Sequence, residues 1–510
     1  MVASPCNPLS SDHQARRVGL TLPQSGLFIG GEFVESAAGG RIEVLDPHDG
    51  TVLTTIAEAR EEDVDRAVAA ARAAFGPWAA MAASQRGSLL LRLADSIEEH
   101  ATELALLETL DTGHPLRDTT RLDVPRTAAC FRYFGGMADK YQGSVIPVET
   151  GLLNYVLRQP VGVVGAIVPW NFPLMFTSWK LGPILTAGNT AVMKPSEITP
   201  LSTLRLAELM AEVGFPPGVV NIVPGYGNSA GARIAEHPDI DKITFTGSTL
   251  VGRQIVAASV GNLKRVHLEL GGKGANIIFD DADLDAALQG SAFAIFHNQG
   301  QACIAGSRLL LQEGIADEFL DAFVKLARAL RIGDPVAPGT ELGPLTSLAH
   351  RDRVLSYVTI AEEEGGDVVT GGSVPSDPAL GSGYYVEPTV VSVPHAARAT
   401  REEVFGPFVT VQRFKDDDEA LALANEVEYG LGAGCWTNDL SRAHRFGGAL
   451  RAGMVWVNTY KRVNPGSPFG GVGASGYGRE MGFEAMHDYT EAHSVWINVD
   501  APQPRTYGAN

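Results

Sequence analysis

Cysteine is scarce in this chain. Cys6, Cys130, Cys303 and Cys435 are the only four among 510 residues and no two form a C-x-x-C pair, which excludes a disulfide scaffold. None of the 12 histidines lies three or four residues from another, so the local spacing of a zinc-ligand pair is missing and no metal is expected. No run of about 18 apolar residues occurs and no basic-then-apolar leader follows Met1, so no membrane association is expected. Basic blocks are missing too, which argues against nucleic acid as a partner. Internal repeats and low-complexity stretches are also absent. A cytoplasmic location is expected, with a transit-like reading of the opening residues as the alternative.

What the chain has in excess is acid. Its 59 Asp and Glu against 40 Lys and Arg give a net charge of −19, which serves solubility. With 45% hydrophobic and 19% charged residues the composition is globular, and 510 residues exceed one ordinary core, so two or more domains are expected. The opening segment, 1–26, reads as a disordered tail. Short strands broken by Gly39-Gly40 and Asp49-Gly50 turns follow, then a helix over Glu61–Ala79 and a second long helix over 84–110. Two extended runs around Glu149-Thr150-Gly151, within 143–158, predict a projecting hairpin.

From Val161 apolar strands at Val163–Val168, Asn189–Lys194, Val219–Val223 and Lys242–Thr246 alternate with helices, the pattern of a parallel sheet in an α/β domain. After Gly272 the alternation restarts as a second α/β unit. It has helices at Leu284–Phe296 and Gly314–Leu330, and strands at Thr389–Val393, Val409–Phe414 and Gly453–Val457. The run His493–Val499 reads as a lone edge strand with no sequential partner. Such an edge needs cover, so it and the hairpin are expected to meet another subunit.

Three strings carry the chemistry: Asn298-Gln299-Gly300-Gln301-Ala302-Cys303-Ile304-Ala305-Gly306-Ser307, Leu268-Glu269-Leu270-Gly271-Gly272-Lys273, and Pro169-Trp170-Asn171-Phe172-Pro173. A thiol, a carboxylate and an amide in such settings suit a nucleophile, a general base and an oxyanion donor. A lone cysteine is usually a small buried hydrophobe, the role assigned to Cys130 and Cys435. Glu269 also lies about 20 residues past the glycine turn Gly247-Ser248-Thr249-Leu250-Val251-Gly252, where the dinucleotide rule seeks a ribose ligand. That rule needs G-x-G-x-x-G, and this turn is G-x-x-x-x-G.

Together the three strings resemble the aldehyde dehydrogenase superfamily, and the resemblance runs from about Leu27 to Val499. It implies oxidation of an aldehyde to the acid with NAD (NADP less preferred) through a cysteine thiohemiacetal and thioester. It implies an α/β fold with a Rossmann-like cofactor domain over 27–137 and 160–270 and a catalytic α/β domain over 271–484. A β oligomerisation arm over 138–159 and 485–500 completes a homodimer or homotetramer.

By the same resemblance Cys303 is the nucleophile, and Glu269 activates the deacylating water, with Gly271 and Gly272 giving it room to swing. Asn171 holds the oxyanion, and Lys180 lies near a proton path. Glu480 fits either a proton relay or an interface salt bridge with an arginine. The implied cofactor residues are Val168, Trp170, Lys194, Glu197, Gly227, Gly247, Ser248, Leu270, Glu403 and Phe405. Phe172, Phe176, Trp179, His297, Val463 and Phe469 should approach the substrate, with His297 a packing histidine rather than a second base. Lys461-Arg462 suits either an anionic substrate or plain solvated surface. Two rivals stay open. A CoA-acylating enzyme would generally lack the base at Glu269, and a catalytically silent binding or structural relative would have lost Cys303 or Glu269.

Overall fold

The computed structural model describes residues 20–503. Of the expected tail, 1–19 lies outside the described residues, while Leu20 and Leu22 pack against the core. The first sheet is built on five parallel strands, ordered Val220–Ile222, Thr190–Lys194, Val163–Ile167, Lys242–Thr246 and Arg265–Glu269. Numbered along the chain from Val163–Ile167, that order is 3-2-1-4-5, the Rossmann arrangement, with its switch point between Val163–Ile167 and Lys242–Thr246. These strands are buried along their whole length, apart from the start of Arg265–Glu269; Val163–Ile167 reads as a continuous apolar run, whereas Lys242–Thr246 and Arg265–Glu269 alternate polar and apolar residues. Leu27–Ile29 and Glu32–Val34 extend one side antiparallel, and the two-residue strand Gly476–Tyr477 closes the other against Leu268 and Glu269.

The second sheet orders Asp367–Thr370, Thr389–Ser392, Phe408–Phe414, Arg308–Gln312, Ala275–Ile278, Gly432–Trp436 and Met454–Val457, parallel except for its first strand. A third sheet joins Ser144–Ile146, Leu152–Pro160 and Thr490–Asn498. The C-terminal strand therefore does have a partner within the chain. It runs antiparallel along the second strand of the hairpin, from Thr490 opposite Pro160 to Asn498 opposite Leu152. Proximity along the chain gave no hint of this pairing, because backbone hydrogen bonds carry no sequence signature.

The expected long helix over 84–110 is two helices, Ala83–Glu99 and Ala101–Thr112, broken at His100 where ψ is 19°. The break separates an amphipathic helix from one buried on every face from Leu104 onward. Helix Pro173–Ala187 is buried throughout, opens on Pro173 and ends on Gly188 at φ 93°. It carries Phe176, Trp179 and Lys180 inward from the first sheet.

Helices Ala83–Glu99 and Val124–Met137 meet backbone to backbone at Gly87 and Gly135. A Cβ on Gly87 would stand 2.5 Å from the Gly135 carbonyl oxygen. Replacing Gly87 by Leu should force the helices apart at a cost of about 1–3 kcal/mol, the usual range for overpacking. The expected readout is a lower apparent melting temperature in a calorimetric scan, and an unchanged one contradicts the tight contact.

Candidate active site

Cys303 lies between helix Leu284–Phe296 and strand Arg308–Gln312, after a turn with an unusual backbone. Asn298 and Gln299 both hold φ at 53°, and Gly300 follows at 71°. Left-handed backbone costs roughly 1–2 kcal/mol for each non-glycine residue, so other contacts must offset it. Asn298 Nδ2 donates to the Asn171 carbonyl at 2.7 Å, and Gln299 Nε2 donates to the carbonyls of Gly113 and Pro344 at 2.7 and 2.9 Å. Gln301 Oε1 accepts from the Thr346 N–H at 3.0 Å. Gly300 is obligatory, because a Cβ there would stand 1.9 Å from the Gly406 carbonyl oxygen. The polar string ahead of the cysteine is thus a clamp on the loop. Cys303 is half-buried, and burial, with the Glu403 and Glu269 carboxylates, pushes its thiol up. Cys130 and Cys435 are buried in cores and are pushed up to about 12.

Glu269 ends its strand on the other side of the site, 1% exposed. One carboxylate oxygen faces His267 Nε2 at 3.2 Å and the other has no hydrogen-bond partner among the described residues. Burial raises the carboxyl to about 7 against the opposing pull of His267. His267 Nδ1 lies 3.2 Å from an oxygen of Asp488, whose side chain is 33% exposed. Two titratable groups, His267 and Asp488, therefore link Glu269 to the surface. His267 was not singled out from sequence, since in an alternating strand it reads as one more side chain. The two glycines after Glu269 have a simpler cause than room for it to swing. A Cβ at Gly271 would meet Glu403 Oε2 at 2.4 Å, and one at Gly272 would meet the Cys303 carbonyl at 2.2 Å.

Asn171 Nδ2 donates to the Gln301 carbonyl at 2.8 Å, which leaves its second amide hydrogen without an acceptor among the described residues. Lys180 Nζ bonds Glu480 and also Thr244 Oγ1, the latter at 3.1 Å. Both members of that pair are fully buried, so the partner of Glu480 is a lysine of the same chain rather than an arginine.

Most of the expected cofactor residues stand at the carboxyl ends of the parallel strands: Val168 and Trp170, Lys194 and Glu197, Gly247 and Ser248, and Leu270. Open α/β sheets bind ligands there, beside the switch point. Thr246 Oγ1 is buried at the same end with no hydrogen-bond partner among the described residues, which suits a polar ligand. Ser248 caps helix Thr249–Ala258, accepting from the Val251 N–H at 3.3 Å. Gly252 lets that helix lie against Leu270, since a Cβ would meet Leu270 Cδ2 at 2.7 Å. Lys194 Nζ donates to the carbonyls of Pro195 and Gly225 at 2.8 and 2.7 Å and pairs with Glu197 at 3.3 Å. Gly227 opens a short turn with free space where a side chain would be. Glu403 accepts from the Gly272 N–H at 2.7 Å and burial raises it to about 7. Phe405, at φ 66°, meets Trp170 edge-on at 5.3 Å. These donors, acceptors and ring edges suit a dinucleotide.

Phe172, Phe176, Trp179, His297, Val463 and Phe469 all line one narrow recess with Cys303. Trp179 packs on Phe469 at 4.7 Å, and His297 lies between Phe172 and Phe293 at 6.1 and 4.7 Å. Burial and nearby cations hold His297 well below its usual range, which makes it a poor base. Sequence reasoning missed Arg126, Met175 and Phe293 in the lining. It also missed His114, which meets His297 at 5.1 Å, because residues so far apart in the chain share no local pattern.

Residues 33–495 match the aldehyde dehydrogenase family. Human mitochondrial aldehyde dehydrogenase is 47% identical over 478 residues, covering 93% of this chain and 92% of that protein. The crystal structure of PnpE from Pseudomonas sp. WBC-3 in complex with nicotinamide adenine dinucleotide is 66% identical with a TM-score of 0.94, over 95% of this chain and 99% of that one. The NAD+ complex of aldehyde dehydrogenase from Bacillus cereus is 44% identical with a TM-score of 0.92, over 96% and 99% of the two chains.

The differing burial of the cysteines predicts selective alkylation. Iodoacetamide on the folded protein, followed by peptide mapping, should label Cys303 while Cys130 and Cys435 stay unmodified. The rate at Cys303 should climb with pH, because the thiolate is the reactive form and this thiol is pushed up. Labelling of Cys130 at a comparable rate would contradict the assignment of Cys303 as the accessible thiol.

Proposed function

We infer the division of labour in this site from one premise: the chain belongs to the aldehyde dehydrogenase family and oxidises aldehydes to carboxylic acids with NAD. Cys303 Sγ adds to the aldehyde carbon as its proton passes to a base, and the carbonyl oxygen takes the negative charge. The free amide hydrogen of Asn171 and the Cys303 N–H receive that oxyanion. NAD, when bound, supplies the acceptor for the hydride that leaves the thiohemiacetal carbon. A thioester remains, water attacks it, and the acid departs as the thiol is restored.

One observation carries this reading. Glu269 is a buried carboxyl raised to about 7 with an unpaired oxygen, beside a thiol that is itself raised. A base poised near neutrality suits both proton removals. His267 and Asp488 offer the proton a way out, and the Lys180–Glu480 pair modulates Glu269 through its charge. A water-activating base also favours hydrolysis over acyl transfer to CoA. Glu403, Phe405 and Trp170 are assigned to the nicotinamide end of the cofactor. Lys194 and Glu197 are assigned to the adenosine ribose, where the acid opposes a 2′-phosphate and leaves NADP the weaker cofactor. Cofactor binding is assigned to 27–137 and 160–270, catalysis to 271–484 and oligomerisation to 138–159 and 485–500.

Replacing Glu269 by Gln should lower steady-state turnover about 10²–10⁴-fold, the usual worth of general-base help. A stoichiometric NADH burst in rapid mixing should survive if another group can take the thiol proton. Its loss would show that Glu269 serves acylation as well. In the parent, Glu269 gains a proton as pH falls through about 7, so turnover should drop on the acid side of that value. The Gln variant should lack that limb. Unchanged turnover in the variant would remove Glu269 as the base.

A homodimer or homotetramer is proposed on the three-stranded sheet, which leaves Val145, Ile146, Leu157, Trp496, Ile497 and Val499 exposed on a single chain. No helix among the described residues is long and apolar enough to cross a membrane. A cytoplasmic location is proposed from the free thiols of Cys130, Cys303 and Cys435. Light scattering on a Trp496→Asp, Ile497→Asp double variant should show a single-chain mass where the parent shows a multiple. A variant that keeps the parent's mass would overturn the interface.

A further inference from the structure

Two basic side chains line the substrate recess, and burial lowers the Lys461 ammonium to about 7, so an anion beside it would favour its charged form. Lys461 follows strand Met454–Val457; its Nζ is buried and has no hydrogen-bond partner among the described residues. The ring of Phe293, 6.0 Å away, is a weak substitute. The backbone at Lys461 is left-handed, with φ at 55°, an arrangement that side chains other than glycine adopt at a cost. Arg126, on helix Val124–Met137, lines the same recess. Among the described residues its guanidinium makes no hydrogen bond or ion pair.

The remaining walls are apolar, with Phe172, Phe176, Trp179, Phe293, Val463 and Phe469 prominent. An amine buried without a partner in such a lining, as Lys461 Nζ is, is unfavourable and rare, while Arg126 beside it is half-buried. Nor is a cationic recess expected by chance in a chain of net charge −19. Of the nearby acids, Asp118 is committed to Arg117 at 2.9 and 3.1 Å, while Asp123 holds His114 Nδ1 at 2.7 Å with one oxygen and acts on Arg126 through its charge without a hydrogen bond to it. His297, held neutral, supplies no anion. No acid among the described residues bonds Lys461 Nζ, so a partner for it can enter with the ligand.

We propose that this recess takes an aldehyde bearing a carboxylate, the semialdehyde of a dicarboxylic acid, with its carboxylate bound by Lys461 and Arg126 and its aldehyde carbon at Cys303. The proposal rests on Cys303 as the nucleophile in the same recess. The apolar walls take the carbon chain between the two ends. The product is a dicarboxylate, and the cations distinguish the two ends of the substrate before the reaction begins.

The test compares 4-oxobutanoate and 6-oxohexanoate with their methyl esters, which keep the carbon chain and remove the charge. NADH absorbance gives kcat/KM for each with the full chain and NAD. Charge-assisted hydrogen bonds of this kind correspond to about 10–100-fold, so the parent should favour at least one acid over its ester by that factor. Lys461→Met and Arg126→Met should each lower that acid-to-ester ratio about tenfold, and Lys461→Arg should restore most of it. Reading a ratio within each variant separates the subsite from a general loss of activity. Esters oxidised as well as acids by the parent, or ratios untouched by both Met variants, would overturn the carboxylate subsite while leaving aldehyde oxidation at Cys303 standing. A parent that gives NADH with neither acids, esters nor propanal would overturn both.

Discussion

The left-handed turn at Asn298-Gln299-Gly300 fixes where the Cys303 thiol can be, and its clamps reach segments that the chain visits far apart. Asn298 ties it to Asn171 beyond the first strand of the Rossmann sheet, Gln299 to Gly113 and Pro344, and Gln301 to Thr346. Gly300 against Gly406 and Gly272 against the Cys303 carbonyl then bring Glu403 and Glu269 to the same place. Shifting the turn would move nucleophile, oxyanion donor and base relative to one another. Rate advantages of fixed geometry disappear with misplacements of about 1 Å, which explains why so much hydrogen bonding is spent on a stretch of four residues.

The electrostatics of the site run against those of the rest of the molecule. Over the chain, acids outnumber bases and most charged groups meet water or each other. In the site, Glu269 has an oxygen, Thr246 a hydroxyl and Lys461 an amine without hydrogen-bond partners among the described residues, all buried. Each is unfavourable in the empty protein and favourable once a complementary group arrives, so stability is given up locally for recognition. The Lys180–Glu480 pair shows the opposite solution, two buried charges that neutralise each other and still act on Glu269 at a distance.

The two α/β units were legible because short strands rich in apolar and β-branched residues alternate with helices that have clear ends. Lys242–Thr246 and Leu284–Phe296 have the bounds that pattern predicts. The site strings were legible because their residues are neighbours in sequence. What stayed hidden depends on approach between distant segments. Gly476–Tyr477 is two residues long and joins the first sheet through backbone alone. His267, Arg126 and His114 acquire meaning only from what faces them. The break at His100 follows from a change in how many faces are buried, and Gly271 and Gly272 from atoms that arrive more than 130 and 30 positions later, respectively.

The small sheet of the arm has a consequence for synthesis. Leu152–Pro160 finds its long partner only in Thr490–Asn498, and Asn154 bonds Ser494 across 340 positions. At about 5–20 residues per second a ribosome needs roughly 20–70 s to bridge that interval. Throughout it the nascent chain carries a nine-residue strand with one edge open, and a neighbouring chain on the same message can pair there first. Yield in a cell is therefore expected to depend on translation speed and on chaperones that shield strand edges, independently of how stable the finished fold is.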